Sequence, residues 1–285
     1  MEYFAPGHRA CAGCGLAIST RVALNTLGKD TIVVNSTGCL EIISTPYPES
    51  AFQVPYIHSL FENAAAVATG VKAALKVKGN DHTQVVCLAG DGATYDIGFG
   101  ALSGMLERND DVLYICIDNE AYMNTGVQRS GATPRFAMTT TSPSGKVIRG
   151  KTEWKKPLVE IVASHQIPYS ASASIAYPKD LEKKIKKAAG IKGARFIAVH
   201  SPCCTGWGFD GSLTIKVGKL AVKTGLWALF EVEDGKFKLN YRPKKLTPVI
   251  EYLKMQRRFA RLNEAEVKEI QSRVNKNWKE YLVKS

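Results

Sequence analysis

The feature that most restricts the fold is a series of short, almost uninterrupted apolar segments separated by helix-like stretches. The segments at 85–90 (VVCLAG) and 112–117 (VLYICI) contain no charged residue, so both faces of each strand would be buried. Strands buried on both faces are typical of parallel sheets, because the crossover connections place helices on each side. The sequence therefore predicts an α/β fold with a mostly parallel sheet covered by helices on both faces.

Other segments continue this alternation of strands and helices. Predicted strands lie at 31–38, 169–176, 195–204 and within 226–241, and predicted helices lie at 63–79, 99–110 and 157–167. The region 129–157 has little periodicity and is rich in Gly, Pro, Thr and Lys, which predicts a long functional loop. The last 35 residues or so are charged and predict a helical tail.

The length fits a single domain over residues 1–285, with a cysteine-containing segment at the start and the helical tail at the end. The longest apolar runs are too short to span a bilayer, and the first residues form no apolar signal region. Seven cysteines are too few for a disulfide scaffold of this size. We therefore expect a cytoplasmic protein without a membrane partner.

The formal net charge of +12 narrows the choice of macromolecular partner. Lysines are spread from about residue 146 to the end, without interleaved aromatic residues or a nucleic-acid-binding motif. We expect no nucleic acid as a ligand, and the positive charge favours docking to an acidic protein. A merely soluble, lysine-rich surface is the alternative.

A Gly-Asp-Gly triplet follows one of the buried strands. Gly90, Asp91 and Gly92 lie where ligands bind in open parallel sheets, at the carboxyl end of a strand. Glycines there allow a phosphate to approach the backbone, and an aspartate oxygen suits Mg²⁺. The triplet alone is often only a turn. However, the chain between Gly92 and Asn119 is long enough for one helix and the return strand, so Asp91 and Asn119 are predicted to share one cation.

Five cysteines lie on predicted loops and are candidate metal ligands. Cys11 and Cys14 form a Cys-x-x-Cys pair, Cys39 follows a strand, and Cys203 and Cys204 follow another. The other two cysteines lie within apolar strands, where core thiols are expected. Four loop cysteines suit zinc or a 4Fe–4S cluster, and the spacing leaves both possibilities open, with Cys203 and Cys204 competing for the fourth position.

Several segments of the sequence together resemble a known protein family. Gly-Asp-Gly, a spacer of this length and then Asn is the pattern of thiamine-diphosphate enzymes. The whole chain resembles the thiamine-binding β subunits of the 2-oxoacid:ferredoxin oxidoreductases, pyruvate:ferredoxin oxidoreductases in particular. The resembling segments are CAGCG, STGCLEI, PYIHSLFENAAAVATGVKAA, SPCCTGWG and the stretch from GDGATYDIG to SGATP. They cover most of the first 210 residues.

The resemblance implies a thiamine-diphosphate-binding fold and three cofactors: thiamine diphosphate, Mg²⁺ and one 4Fe–4S cluster. Its implied cluster ligands are Cys11, Cys14, Cys39 and Cys203, because the family usually has proline where this chain has Cys204. Many members carry a second Asn where this chain has Glu120.

For the thiamine site, the resemblance assigns Mg²⁺ to Asp91, the Asn119 side chain and the carbonyl of Ala121. Asn124 matches a position near the substrate, although it is also suited to stabilise the turn that follows. Asn63 either caps a helix or lines the cofactor pocket. Gly90 and Gly92 complete the expected cofactor contacts.

The implied reaction is the oxidative decarboxylation of pyruvate with coenzyme A to acetyl-CoA and CO₂, with electrons passing through the cluster to ferredoxin. Thiamine enzymes also need a glutamate from a separate pyrimidine-binding domain, so we expect activity only with an α subunit, and γ and δ subunits as further partners. Two alternatives stay open. One is the same chemistry on a branched-chain 2-oxoacid, oxalate or 2-oxoglutarate; the other is a zinc-stabilised binding subunit without redox chemistry.

Overall fold

The computed structural model describes residues 2–46 and 48–285. All its strands belong to one sheet of eight strands. They are β1 (Thr31–Ser36), β2 (Tyr56–Ser59), β3 (Gln84–Gly90), β4 (Leu113–Asp118), β5 (Tyr169–Ser174), β6 (Arg195–His200), β7 (Phe230–Glu233) and β8 (Lys236–Leu239). Their spatial order is β2-β1-β3-β4-β6-β5-β7-β8.

The strands from β1 to β6 run parallel, and only the β7–β8 hairpin joins the sheet antiparallel, at the edge beyond β5. The predicted mostly parallel sheet is therefore confirmed. The segment 226–241, expected to add strands, forms this hairpin.

Helices cover both faces of the sheet. They are α1 (Gly15–Leu27), α2 (Cys39–Ser44), α3 (Ala64–Val77), α4 (Phe99–Glu107), α5 (Leu158–Ala163), α6 (Pro178–Ala189), α7 (Cys204–Trp207), α8 (Thr214–Lys223), α9 (Ile250–Leu253) and α10 (Glu264–Lys284). A π-helical turn spans Gly92–Ile97, and short 3₁₀ turns span Gly211–Leu213 and Arg257–Phe259.

Alternating residues of each central strand point into two separate cores. In β3, Val86 and Leu88 pack with α1, α2 and α6, whereas Val85 and Cys87 pack on the opposite face with α3, α4 and the C-terminal helices. This alternation follows from the period of two in side-chain direction along a strand. It explains why the continuous runs within β3 and β4 carry no charged residue: each face is covered.

The long region 129–157 contains neither a helix nor a strand, as predicted, and carries only isolated bridges such as Ser144 with Arg149. The predicted helical tail is α10, which begins with a capping box between Asn263 and Glu266. Within the described ranges, no helix combines the length and the apolar character needed to cross a membrane.

The parallel direction of the strands decides where the candidate residues meet. The turns after β1, β3, β4 and β6 all leave the sheet at its carboxyl edge, because neighbouring parallel strands end on the same side. These turns carry Cys39, Asp91, Asn119 and Cys203. The topology therefore gathers at one edge residues that are far apart in the sequence.

Candidate active site

A pocket opens at the carboxyl edge of the sheet between the turns after β1, β3 and β4. Its wall includes most of the residues predicted as cofactor or substrate contacts: Gly90, Asp91, Gly92, Asn119, Ala121 and Asn124. Cys39 also lines this pocket, which brings one predicted cluster ligand next to the predicted metal ligands.

Three oxygen atoms meet at the base of the pocket. The side-chain oxygen of Asn119 lies 2.8 Å from the carbonyl oxygen of Ala121 and 2.9 Å from Oδ1 of Asp91. In this orientation the three oxygens face one another without a donor between them. Rotating the Asn119 amide by 180° would let its nitrogen donate to both neighbours, so the group can be satisfied either by that rotation or by a cation.

The spacing of these oxygens fits Mg²⁺. In octahedral coordination with Mg–O bonds of about 2.0–2.1 Å, adjacent ligand oxygens lie about 2.9 Å apart. The two measured separations, 2.8 and 2.9 Å, match that value. A carboxylate, an amide oxygen and a backbone carbonyl are also the hard donors that Mg²⁺ prefers. The residues present therefore fit the expected ion.

Asp91 is a buried carboxylate, and in the described part of the chain no basic side chain forms an ion pair with it. Its Oδ2 accepts a hydrogen bond from Ser130 Oγ at 2.5 Å, and its Oδ1 accepts one from the Asn119 backbone N–H at 3.3 Å. Burial, followed by the nearby charge of Asp118, raises the pKa of Asp91 well above its ordinary value, although Ser130 and Lys155 act in the opposite direction. A divalent cation at this position would favour the ionised carboxylate.

Glycine occupies positions 90 and 92 for different structural reasons. A Cβ on Gly92 would lie 2.5 Å from the ring of Tyr122, so only glycine fits beneath this ring. A Cβ on Gly90 would meet no protein atom within 4 Å, so the missing side chain leaves space in the pocket wall. The π-helical turn that begins at Gly92 follows directly, and such turns are frequent at functional sites.

Apolar side chains form much of the remaining wall. They come from α1, α2, β4 and the turns beside them: Leu16, Leu40, Phe61, Ile117 and Met123. Such walls exclude water from a ligand that enters between them.

The two candidate asparagines outside the metal group lie in different places. Asn124 is exposed and lines the pocket, where a substrate would pass. Asn63 does not line the pocket. It is the residue directly before α3, its side chain makes no capping hydrogen bond to that helix, and its Oδ1 accepts a hydrogen bond from Ser59 Oγ at 2.5 Å.

The cysteine-containing segments converge near the same pocket. The Cys11–Cys14 turn is closed by a hydrogen bond from the Cys14 N–H to the Cys11 carbonyl at 3.0 Å. Within this turn, Gly13 has a φ of +80° and packs so closely on the Gly211 backbone that a Cβ would lie 2.3 Å from its carbonyl oxygen. The N-terminal turn is therefore fixed against the segment that follows Cys203.

The predicted cluster ligands influence one another electrostatically. Burial, followed by the neighbouring thiols Cys203 and Cys14, raises the pKa of Cys39 to about 12. Burial is likewise the main reason why the pKa of Cys203 is raised, to about 11. All seven cysteines are free thiols. Nevertheless, within residues 2–46 and 48–285, no group of three or more His, Cys, Asp or Glu side chains has the arrangement of a metal site.

Cys203 and Cys204 have different surroundings. The Cys204 thiol is buried and donates to the carbonyl of Ala12 at 3.2 Å, so it contributes to docking of the N-terminal turn. Cys203 is partly exposed, and its sulfur accepts a hydrogen bond from the Gly206 N–H at 3.3 Å. The contacts favour Cys203 as the available donor.

The sequence reasoning missed several residues that support the site. Ser130, in the long loop, donates directly to Asp91, and Trp207 Nε1 donates to the Asn119 carbonyl at 2.8 Å. Lys155 bridges Asp118 at 2.7 Å and Glu120 at 3.0 Å. Without a structure, only the position of Ser130 and Lys155 in a predicted functional loop, and of Trp207 beside two cysteines, pointed toward them.

A second cavity of about 210 Å³ lies between the carboxyl edge of the sheet and α10. Glu120, Lys155 and His200 line it, whereas Asn119 and Ala121 line the first pocket. The side chains of consecutive residues in one turn therefore divide between the two cavities.

The chain is similar to known proteins over most of its length. The family model "Thiamine pyrophosphate enzyme, C-terminal TPP binding domain" matches residues 36–199. The chain is 55% identical over 96% of its length to pyruvate synthase subunit PorB of Methanothermobacter thermautotrophicus, of which it covers 95%. It is 46% identical over 97% of its length to ketoisovalerate oxidoreductase subunit VorB of Pyrococcus furiosus, of which it covers 91%.

A solved structure has the same fold. The chain resembles 2-oxoglutarate:ferredoxin oxidoreductase from Magnetococcus marinus, determined with 2-oxoglutarate, coenzyme A and succinyl-CoA bound, with a TM-score of 0.60 and 27% identity. The similarity covers 72% of this chain and 67% of the other.

Proposed function

The chain belongs to the thiamine pyrophosphate enzymes and, within them, to the family of the pyruvate synthase PorB subunits, and we propose that it is the thiamine-diphosphate-binding subunit of a pyruvate:ferredoxin oxidoreductase. The observation that carries the proposal is the group of three oxygens from Asp91, Asn119 and Ala121, at Mg²⁺ spacing, in a pocket that also contains Cys39.

Asp91, Asn119 and Ala121 would hold Mg²⁺, which in turn binds the diphosphate, with Gly90 leaving room for the phosphate groups. Bound thiamine diphosphate supplies the electron sink that allows a 2-oxoacid to lose CO₂. The chain's own part is to orient the cofactor, to exclude water with the apolar wall, and to present Asn124 to the substrate. These roles place binding and positioning, rather than proton transfer, on this subunit.

Cys11, Cys14, Cys39 and Cys203 would hold one 4Fe–4S cluster, a one-electron acceptor beside the thiamine site. Two features support this assignment. Four thiols are the usual donor set of such clusters, and Cys39 lies in the wall of the thiamine pocket itself. The raised pKa values of Cys39 and Cys203 mean that these thiols stay protonated at neutral pH until a metal binds them.

Pyruvate is the proposed substrate because four pyruvate synthase subunits are 51–55% identical to this chain, whereas the ketoisovalerate oxidoreductase subunits of three Pyrococcus species are 45–46% identical. The pyruvate synthase subunit of Pyrococcus horikoshii is 43% identical. The alternative is a branched-chain 2-oxoacid, which the ketoisovalerate oxidoreductase relatives favour. Coenzyme A is the proposed acyl acceptor, and ferredoxin the proposed electron acceptor.

We also propose that the site is completed by an α subunit, with γ and δ subunits in the same complex. The glutamate that thiamine needs at its aminopyrimidine would come from that partner. The relatives are named as subunits, which supports an assembly of several chains.

The test is anaerobic purification of the complex, followed by quantification of iron, zinc and thiamine and by viologen reduction with coenzyme A and a series of 2-oxoacids. We expect about four irons and one thiamine per chain, and pyruvate as the best substrate. Zinc in place of iron, with no thiamine, would contradict the proposal. A preference for 2-oxoisovalerate would replace only the substrate.

A further inference from the structure

The residue between two of the candidate metal ligands has an unusual backbone conformation. Glu120 has a φ of +67°, in the left-handed region that non-glycine residues rarely adopt. It lies between Asn119 and Ala121, whose oxygens meet in the first pocket, while its own side chain lines the second cavity. The left-handed conformation is thus part of the turn that brings the two oxygens together.

Both the side chain and the backbone of Glu120 are bound by neighbouring residues. Its carboxylate forms ion pairs with two basic side chains, Oε1 with Lys155 Nζ at 3.0 Å and Oε2 with Arg258 Nη2 at 2.5 Å. Its N–H donates to Asp118 Oδ1 at 3.0 Å, and its carbonyl accepts from Thr133 Oγ1 at 2.7 Å. An unfavourable backbone conformation persists only where such contacts determine it.

Arg258, which binds Glu120, is also connected to Asn119 through Trp207. The guanidinium group of Arg258 stacks over the ring of Trp207, 3.7 Å from its centroid. Trp207, which is fully buried, donates from Nε1 to the Asn119 carbonyl at 2.8 Å. Trp207 ends the short helix that follows Cys203, so the network also joins the metal-binding turn to a cysteine-containing segment.

We propose that Glu120, Arg258 and Trp207 are positioning residues that hold the Asn119–Ala121 turn in its metal-binding conformation. The proposal rests on the proposed function, since it concerns Mg²⁺ and thiamine diphosphate at the same site. The two acidic groups, Asp118 and Glu120, are balanced by Lys155 and Arg258, so the network fixes the turn without adding net charge beside the cation.

Two substitutions at one position separate positioning from stability. Glu120→Ala removes the two side-chain ion pairs and leaves a residue that disfavours positive φ, whereas Glu120→Asn removes the same ion pairs but tolerates that conformation. Both leave Lys155 and Arg258 without this partner, so both should lower the thermal midpoint similarly. Metal affinity should differ: about 10–100-fold weaker for Glu120→Ala, as for other residues that orient ligands, and partly restored for Glu120→Asn.

Glu231 offers a matched control on the other side of the sheet. It is a buried carboxylate bound by Lys187 Nζ at 3.0 Å and by the Tyr169 hydroxyl at 3.0 Å. Glu231→Gln should lower the thermal midpoint and leave metal affinity unchanged.

The experiment measures the Mg²⁺ concentration needed for half-saturation of thiamine diphosphate binding, by calorimetry on the purified complex, beside its thermal midpoint. The expected order of affinity is wild type, then Glu120→Asn, then Glu120→Ala. Two results would overturn this inference and leave the proposed function standing. One is wild-type Mg²⁺ affinity in Glu120→Ala. The other is a Glu231→Gln variant that loses Mg²⁺ affinity in proportion to its loss of thermal stability. If the wild-type complex shows no Mg²⁺-dependent binding, the proposed function fails as well.

Discussion

The oxygen-lined pocket and the cysteine segments are neighbours, yet they differ in how far the chain alone prepares them. In the pocket, the Asn119 amide group already lies 2.8 Å from the Ala121 carbonyl oxygen and 2.9 Å from Asp91 Oδ1, distances that suit a shared cation or hydrogen bonds from the rotated amide. The four cysteines include one exposed and three partly exposed thiols, and the described part of the chain contains no closed metal site there. The ligands of the first region are therefore already in position, whereas the thiols of the second region are only brought near one another.

The difference has a physical reason. Asp91 and Asn119 follow adjacent parallel strands, so the ladder between β3 and β4 sets their separation. The cysteines come from three distant segments whose approach depends on loop contacts, such as the bond from Thr214 Oγ1 to the Gly13 carbonyl at 2.7 Å. Where loops supply the ligands, metal binding itself contributes free energy that closes the site.

The largest expected effect is that of Asp91→Ala. Loss of the buried carboxylate should weaken Mg²⁺-dependent thiamine diphosphate binding by more than about 100-fold, since even residues that only orient ligands cost 10–100-fold. If the regions are independent, iron content should not change. Calorimetric titration and iron analysis of the purified complex measure both quantities. Unchanged thiamine affinity would remove Asp91 from the site, and loss of iron would show that the two regions form together.

The cysteine region is tested by the pair Cys203→Ser and Cys204→Ser. Cys203→Ser should lose the cluster, with iron falling from about four per chain to nearly none and the broad absorption near 400 nm lost. Cys204→Ser should keep the iron, because a serine hydroxyl can still donate to the Ala12 carbonyl as the Cys204 thiol does. The reverse result would exchange their roles, and thiamine content serves as the control in both variants.

The sequence predicted the residues that line the first pocket better than the residues that hold them in place. Gly90, Asp91, Asn119 and Ala121 line one pocket, and they could be predicted because strand ends and their spacing can be read from the chain, with the resemblance supplying the Ala121 carbonyl. Trp207 was not found, because its role is a hydrogen bond to a backbone atom that no pattern records. Glu120 was noticed only as a departure from the family, although its φ of +67° explains why asparagine also suits this position.

The fold shows the same limit. The apolar strands β3 and β4 and the parallel topology were predicted from continuous apolar runs. In contrast, α1 and the short edge strand β2 were missed. The α1 segment, GLAISTRVALNTL, starts directly after the cysteine motif, so its first residues resemble part of a metal-binding loop. Strand β2 has only four residues, too few for a periodic pattern. Asn63 remains a prediction for the cofactor site, and its contacts place it at the start of α3.

A smaller effect is expected at the mouth of the pocket, where the two regions meet the substrate. Asn124→Ala should lower kcat/KM for pyruvate by about tenfold or more, as expected for one lost hydrogen bond to a charged group, while iron and thiamine contents stay at wild-type levels. Steady-state kinetics with viologen measure this. If Asn124 instead only stabilises its turn, thermal stability would fall and the kinetic constants for pyruvate would not change.

The last effect concerns acid stability and a buried histidine, His200, which lines the second cavity. His200 lies between the rings of Trp207 and Trp227, and burial lowers its pKa from 6.5 to about 3. Between these values the unfolded chain binds one more proton than the folded chain, so stability falls as the pH is lowered, by up to about 1.4 kcal/mol per pH unit.

His200→Phe keeps an aromatic ring and removes this titration, so the variant should lose about 2 kcal/mol less than the wild type between pH 7 and pH 5. The measurement is the thermal midpoint of the complex at both pH values. An unchanged dependence in His200→Phe would mean that other groups govern acid stability.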